Sequence, residues 1–591
     1  MKNLIILIAT VSLILSFTSC ETSFLDSESY SDLIKENYYS SLTEYETALV
    51  GCYYYISGRG NERDGCYISG IPIMGQAGTD ETFIASKGSR FEYANHLDTY
   101  SFLNANNKAC EEIWKNHYTG INATNEIINR IDNMDIVGIS SEPRHLGIKA
   151  EAQFLQALWY FNMARIYGGV PIITKGFNSL IDYNAIKRDS LEKVYNHIVV
   201  LLDSAKKYLP ESVTEYGRAT KYSAYALESK VALHIASSMN LLSIPDEVKL
   251  GGINSYDWFA KDASGNILSK TETIKHYYQM ALDNANVVLT HFAPSYLMPK
   301  FTDCFYPSES SKEILFEGVM SAAMAKEQGG YFGSLYGPPG STIAGGGQQV
   351  IMPINPIVLD HFTYTYTGTA TVPVYSSVDD RFLWTIATYK LNANSTKTQY
   401  ATTVAYKSFT IGKFKVDAPS PYNQDRTPVN NPILRVSDIC LVYAEAQAEL
   451  DNFAGLGITS NALKFLNVVR KRALLPDYTD ATVKAIIPLS SKTMQGNKQI
   501  KGYTPITDIE FFRNAILNER MLELLGEGHR WFDLVRMGVL LPIATEAATY
   551  ANPIDLKTPI RSISTFHIFR PIPAREISLH KGSLIQNYGY N

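Results

Sequence analysis

The residues best placed to do chemistry lie together near the C-terminus. Glu519, Glu523 and Glu527 follow at i, i+4 and i+8, and His529 and Asp533 stand four apart beyond a glycine. Paired carboxylates are what a glycosidase uses as acid and base, and a histidine with carboxylates can ligate a metal. Arg520, Arg530 and Arg536 occupy the same stretch, and a carboxylate stripe beside arginines reads as a paired structural face. The expectation is therefore structural: Trp531 and Phe532 anchor a turn, and Asp533 with Arg530 fixes its polar side. The chain has no HExxH, no GxSxG elbow and no P-loop. No catalytic residue, metal ligand or cofactor is assigned.

A second chemical feature is Cys20. Lys2 gives a short basic start, Leu4 to Phe17 is apolar and uncharged, and Thr18 and Ser19 are small. Such a run is shorter than the ~20 residues that span a bilayer and reads as a secretory signal. Residues 1–19 are thus expected to be a lipoprotein signal peptide, and Cys20 the lipidated residue. Residues 20–40 then form a tether with a hydrophobic peg, Phe24-Leu25. The other five cysteines, an odd and sparse set without CxxC, form no disulfide framework. Cys52 and Cys66 are close enough in sequence to bridge, and buried thiols are expected for the rest.

Two stretches have the composition of a polar-ligand surface, with aromatic rings to stack on sugar C–H faces and amide, carboxylate or guanidinium groups to read hydroxyls. Gly78 to Tyr100 holds Asp80, Phe83, Arg90, Phe91, Tyr93, Asn95 and Tyr100. The glycine-rich run Gly329 to Gly347 holds Tyr331, Phe332 and Tyr336, with Gln348 just beyond. The ligand-contact candidates are Asp80, Phe83, Arg90, Phe91, Tyr93, Tyr331 and Tyr336. With 39 Tyr and a net charge of −5, no basic stripe argues for nucleic acid.

Apolar spacing predicts helices over Thr43–Ile56 and Asn107–Met134. A third covers Gly147–Tyr167, where Ala150, Ala157 and Ala164 line one stripe and Phe154, Leu158 and Phe161 the next. Gly168-Gly169 and Pro171 stop it. Asp189 with Glu192 looks like a capping box for the next helix, which ends near Leu209. Further helices are expected at Lys221–Ser238, Thr273–Leu289, Ser437–Leu450, Thr459–Ala473 and Thr507–Gly526, the last with Thr507 and Glu510 as capping box. Extended runs are expected at Glu313–Val319 and Thr402–Phe409. Helix after helix with short breaks suggests antiparallel pairs stacked as a solenoid.

Several segments carry a resemblance to the SusD/RagB family of outer-membrane lipoproteins: Ala150–Ala157 through Tyr167-Gly168-Gly169-Val170-Pro171, Leu434-Arg435 with Val442–Ala446, and Asn467–Ala473. The strongest is Glu519-Arg520 through Glu527-Gly528-His529-Arg530-Trp531-Phe532-Asp533-Leu534-Val535-Arg536. Pro571-Ile572-Pro573 and Gln586–Tyr590 resemble the family's ending. The resemblance implies a mainly α fold: a tetratricopeptide-like helix-pair scaffold with an irregular, loop-rich ligand-binding half containing short strands. Along the chain this gives a helical scaffold over 41–295, a loop-rich insert over 296–435, and C-terminal helices with a closing tail over 436–591. It also implies a cell-surface, non-enzymatic nutrient-binding lipoprotein of the outer membrane, anchored through Cys20. Such a protein captures oligo- or polysaccharide for a SusC-like TonB-dependent transporter. The same scaffold binding peptides or glycopeptides is the alternative, and a surface-anchored hydrolase a more distant one.

Overall fold

A computed structural model describes residues 38–57, 66–84, 92–132, 143–176, 183–213, 215–293, 295–305, 311–320, 332–336, 352–362, 364–369, 372–387, 389–391, 397–399, 410–414, 428–485, 487–488, 498–499, 505–550 and 560–590. Cys20, the Phe24-Leu25 peg and the run Thr402–Phe409 lie outside these residues.

The scaffold is a succession of helices, each packed on the one before. α1 (Leu42–Ser57), α2 (Lys108–Ile131), α3 (Pro143–Tyr167), α4 (Leu191–Tyr208), α5 (Lys221–Leu241) and α6 (Lys270–Phe292) pack in sequence order. α7 (Val436–Phe453) continues the stack against α6 and carries α8 (Ser460–Arg472) and α9 (Asp508–Leu524). This nearest-neighbour stacking of helix pairs is the tetratricopeptide-like arrangement. Both stripes of α3 are buried: Ala150, Ala157 and Ala164 fully, and Phe154, Leu158 and Phe161 likewise. α2 approaches so closely that a Cβ on Gly120 would sit 2.7 Å from the Trp159 ring. Gly168 ends α3 at φ +81°, and a side chain there would strike Asn254.

Capping follows the sequence with one correction. Thr507 and Glu510 form the expected box on α9, and Thr459 caps α8. Ser190, not Asp189, caps α4 by accepting from Lys193 N. Asp189 instead accepts from Ile172 N at 3.0 Å and so pins the turn after α3. An aspartate and a serine side by side are equally good caps, and the second demand decides which one does it.

Strands are short and paired in twos. β1 (Ile314–Gly318) runs antiparallel to β2 (Asn431–Arg435) with Phe316 opposite Leu434, and a hairpin joins Tyr364–Thr369 to Val372–Ser377. Cys52, Cys66, Cys110, Cys304 and Cys440 are all free and buried, so Cys52 and Cys66 do not bridge. One apolar core runs from Tyr45 to Tyr590. Among the described residues no helix is long and apolar enough to cross a membrane.

Candidate functional site

The carboxylates of α9 are spent inside the protein. Glu523 accepts from Arg435 at 2.9 Å, Arg472 at 2.6 Å and Arg381 at 3.3 Å. Glu519 takes Arg381 and Arg470, and Glu527 takes Lys413 and Arg435. Glu313 on the strand side binds Arg435 and Arg472, and Asp379 binds Arg381. Five carboxylates therefore face five cations, and all are buried. Burial pushes the Glu523 carboxyl up, but Arg472, Arg435 and Arg381 outweigh it and hold it far below the ordinary range. A carboxylate so held neither donates a proton nor meets a substrate.

The turn after α9 is built the same way. Gly528 adopts φ +79°, and the backbone there lies against Gly75, where a Cβ would fall 2.0 Å from the Gly528 carbonyl oxygen. α10 (Arg530–Arg536) begins at once, burying Trp531 and Phe532 edge to face. Asp533 does not pair with Arg530 as expected. It accepts from Arg520 at 2.8 Å and Arg536 at 3.0 Å, whereas Arg530 reaches Asp80, at 2.8 and 2.6 Å. Burial raises the Asp533 carboxyl, and the two arginines overcome it and keep it ionised. His529 is held well below its ordinary value by burial, with Lys230 adding to the effect. Among the described residues no group of three His, Cys, Asp or Glu could hold a metal ion.

The first ligand stretch starts as a pinned platform. Asp98 accepts from Gly78 N at 3.1 Å, Ile84 N at 3.0 Å and Arg561 at 2.7 Å. Arg561 also donates to the Thr79 and Thr82 carbonyls, and Tyr100 donates to that of Gly78. Asp80 is 1% exposed and given wholly to Arg530, and Phe83 is 0% exposed. These two hold the platform and offer no surface to a ligand. Tyr336 is likewise fully buried: it receives a hydrogen bond from Gln76, donates to Gly526 O, and stacks with Phe414 and Phe332. Its neighbours fix it as the root of the glycine-rich run, because composition shows the ring but not the three segments that close over it. Tyr93 is half-buried beside α2, its carbonyl accepting from Asn107. Arg90, Phe91, Tyr331 and Gln348 lie outside the described residues.

Among the described residues, Phe102 is an open ring two residues beyond the stretch that sequence marked. It is 83% exposed and adopts φ +58°, a conformation costly for a residue with a Cβ. The His96 ring lies 6.2 Å away. Asn104 donates to the Phe102 carbonyl, and the Ser101 hydroxyl donates to Ser562. Asn104 and Asn106 are exposed beside it. A lone aromatic in the run Ser101-Phe102-Leu103-Asn104-Ala105-Asn106-Asn107 was the available signal.

Comparison with known proteins agrees with this architecture. The SusD family model matches residues 312–590, and a model described as starch-binding associating with outer membrane matches residues 23–233. "SusD-like protein P25" of Formosa agariphila is 24% identical, the match covering 97% of this chain and 96% of that one. A SusD homolog from Bacteroides thetaiotaomicron superposes with a TM-score of 0.67 at 20% identity, over 93% of this chain and 98% of the other. Surface glycan-binding protein A from Bacteroides thetaiotaomicron, in complex with laminarihexaose, superposes at 0.62 with 18% identity, over 92% and 99%. The chain belongs to the SusD family.

Proposed function

We propose that this chain is a non-enzymatic surface lipoprotein, anchored in the outer membrane through Cys20. It captures oligo- or polysaccharide and delivers it to a SusC-like TonB-dependent transporter. The observation that carries this reading is the contrast in access: the carboxylates suited to catalysis are sealed in ion pairs, whereas Phe102 stands open among hydroxyl and amide groups. An exposed ring with such neighbours stacks on a pyranose face and reads its hydroxyls. The relatives support the same class of ligand, one being in complex with laminarihexaose and another described as laminarin binding. Arg90, Phe91, Tyr93 and Tyr331 are further proposed ligand contacts, whereas Asp80, Phe83 and Tyr336 are buried supports.

Affinity electrophoresis and calorimetry of residues 23–591 with laminarin, other polysaccharides and peptides test the reading. Saturable glycan binding without product, weakened in Phe102→Ala, is the expected result. Binding to peptides alone, or release of new reducing ends, overturns it.

A further inference from the structure

Two internal cavities, each of about 20 Å³, lie in the corner between α3, α5 and α10, and Arg165 and His529 line both. A single water-sized guest needs ~10–15 Å³ of such space, so each chamber takes one guest of that scale.

The charges around them do not cancel. Asp438, Glu445 and Asp533 are the carboxylates of this corner, and Lys230, Arg520 and Arg536 pair with them. Arg165 is a fourth cation and is 9% exposed. The rings of Phe161 and Phe532 cover it at 4.0 and 3.9 Å, so it hydrogen-bonds only at its edge. There Nη2 donates to Asn162 at 2.6 Å, and Nε has no acceptor. No carboxylate within ion-pair reach of Arg165 occurs among the described residues. Glu527, which lines the first chamber, is spent on Lys413 and Arg435 in the balanced set of five and five. The imidazoles of His234 and His529 are kept neutral by burial and the nearby cations, so they add no charge. The corner carries one positive charge in excess, in a setting where an unpaired ion is strongly disfavoured.

We propose that this double cavity binds a monovalent anion of halide size, held by the Arg165 edge and a ring N–H of His529, as the fourth counter-charge of the corner. A water molecule would accept the Nε–H bond and leave the charge standing. A phosphate or an organic carboxylate exceeds the space. The ion would tie α3, which carries Arg165, to the turn that carries His529 and to Phe532 of α10, and so brace the family's most distinctive segment from inside.

The test uses bromide as probe. Protein prepared and crystallised in bromide, with data collected at the bromine edge, is expected to show an anomalous peak within hydrogen-bonding distance of Arg165 Nε. In solution, the Tm in chloride is expected to exceed that in gluconate at equal ionic strength by about 1–3 °C, and Arg165→Met is expected to remove the difference. Should that variant fail to fold, the bromide map of the unaltered protein decides alone. Bromide peaks confined to the surface overturn the proposal, as does an equal Tm in the two salts.

Discussion

Along α9 and the turn after it, Glu519, Glu523, Glu527 and Asp533 are chemically capable groups, and every one is sealed against arginine or lysine. The Ser101–Asn107 turn has no titratable side chain at all, yet it presents Phe102 at 83% exposure in a strained backbone. The first region is rich in reactive types without access, and the second has access with inert types. The difference teaches that access, more than residue type, decides which of these groups can meet a ligand. A buried ionic lattice holds segments that are remote in sequence in one register.

Breaking the sealed region has the largest expected effect. Glu523→Gln takes one charged partner from each of Arg381, Arg435 and Arg472, which keep Asp379, Glu519, Glu313 and Glu527, and leaves the buried set one positive charge in excess; removing one member of a buried pair costs about 3–5 kcal/mol. Chemical denaturation should show that loss, while the fraction that stays folded should bind glycan with unchanged affinity. A loss of affinity at full stability would place Glu523 in the site and erase the contrast.

Acid probes the same interior next. His117 is buried against Ile113 O, and burial lowers its pKa from 6.5 to about 4. A depressed histidine contributes stability that is complete above the unfolded value and is lost as pH falls through the folded one. Stability should therefore decline between pH 6.5 and 4, by up to about 3 kcal/mol from this group. His117→Gln should flatten that decline in denaturation curves measured across the range, and an unchanged slope would refute the assignment.

The open region should answer in affinity. Phe102→Ala is expected to weaken glycan binding by about five- to fifteen-fold, the scale of one stacking contact, with Tm unchanged. Leu474 gives the control. It is also exposed, 70%, and left-handed at φ +60°, but it stands where α8 simply stops, with Leu475 N bonded to Arg470 O. Leu474→Gly should gain about 1 kcal/mol of stability and leave binding untouched. Phe102→Gly should show the same relief together with lost affinity. Equal behaviour of the two glycine variants in a binding assay would reduce Phe102 to an ordinary turn residue.

Much of the scaffold was legible. The stripes of α3 repeat at helical spacing, and Gly168-Gly169 with Pro171 stops it, because local chemistry sets periodicity and chain breaks. The ion pairs were legible only as a class. Arginines beside glutamates announced a paired face, but Asp80 with Arg530 spans 450 positions, and no local rule finds such a partner. For the same reason Asp80, Phe83 and Tyr336 looked like ligand contacts: loop composition shows a ring or a carboxylate, and only the closed tertiary structure shows what covers it. Phe102 was passed over because its value lies in exposure and backbone conformation, which its residue type does not reveal.

The central claim is that the molecule binds a sugar chain and does not cut it. Calorimetry of residues 23–591 against laminarin and a panel of other polysaccharides, with the same solutions assayed for new reducing ends, tests it most directly. The account predicts saturable heat with at least one glycan, a weaker isotherm for Phe102→Ala, and no product. Product formation, or saturable binding that Phe102→Ala leaves unaltered, would contradict it.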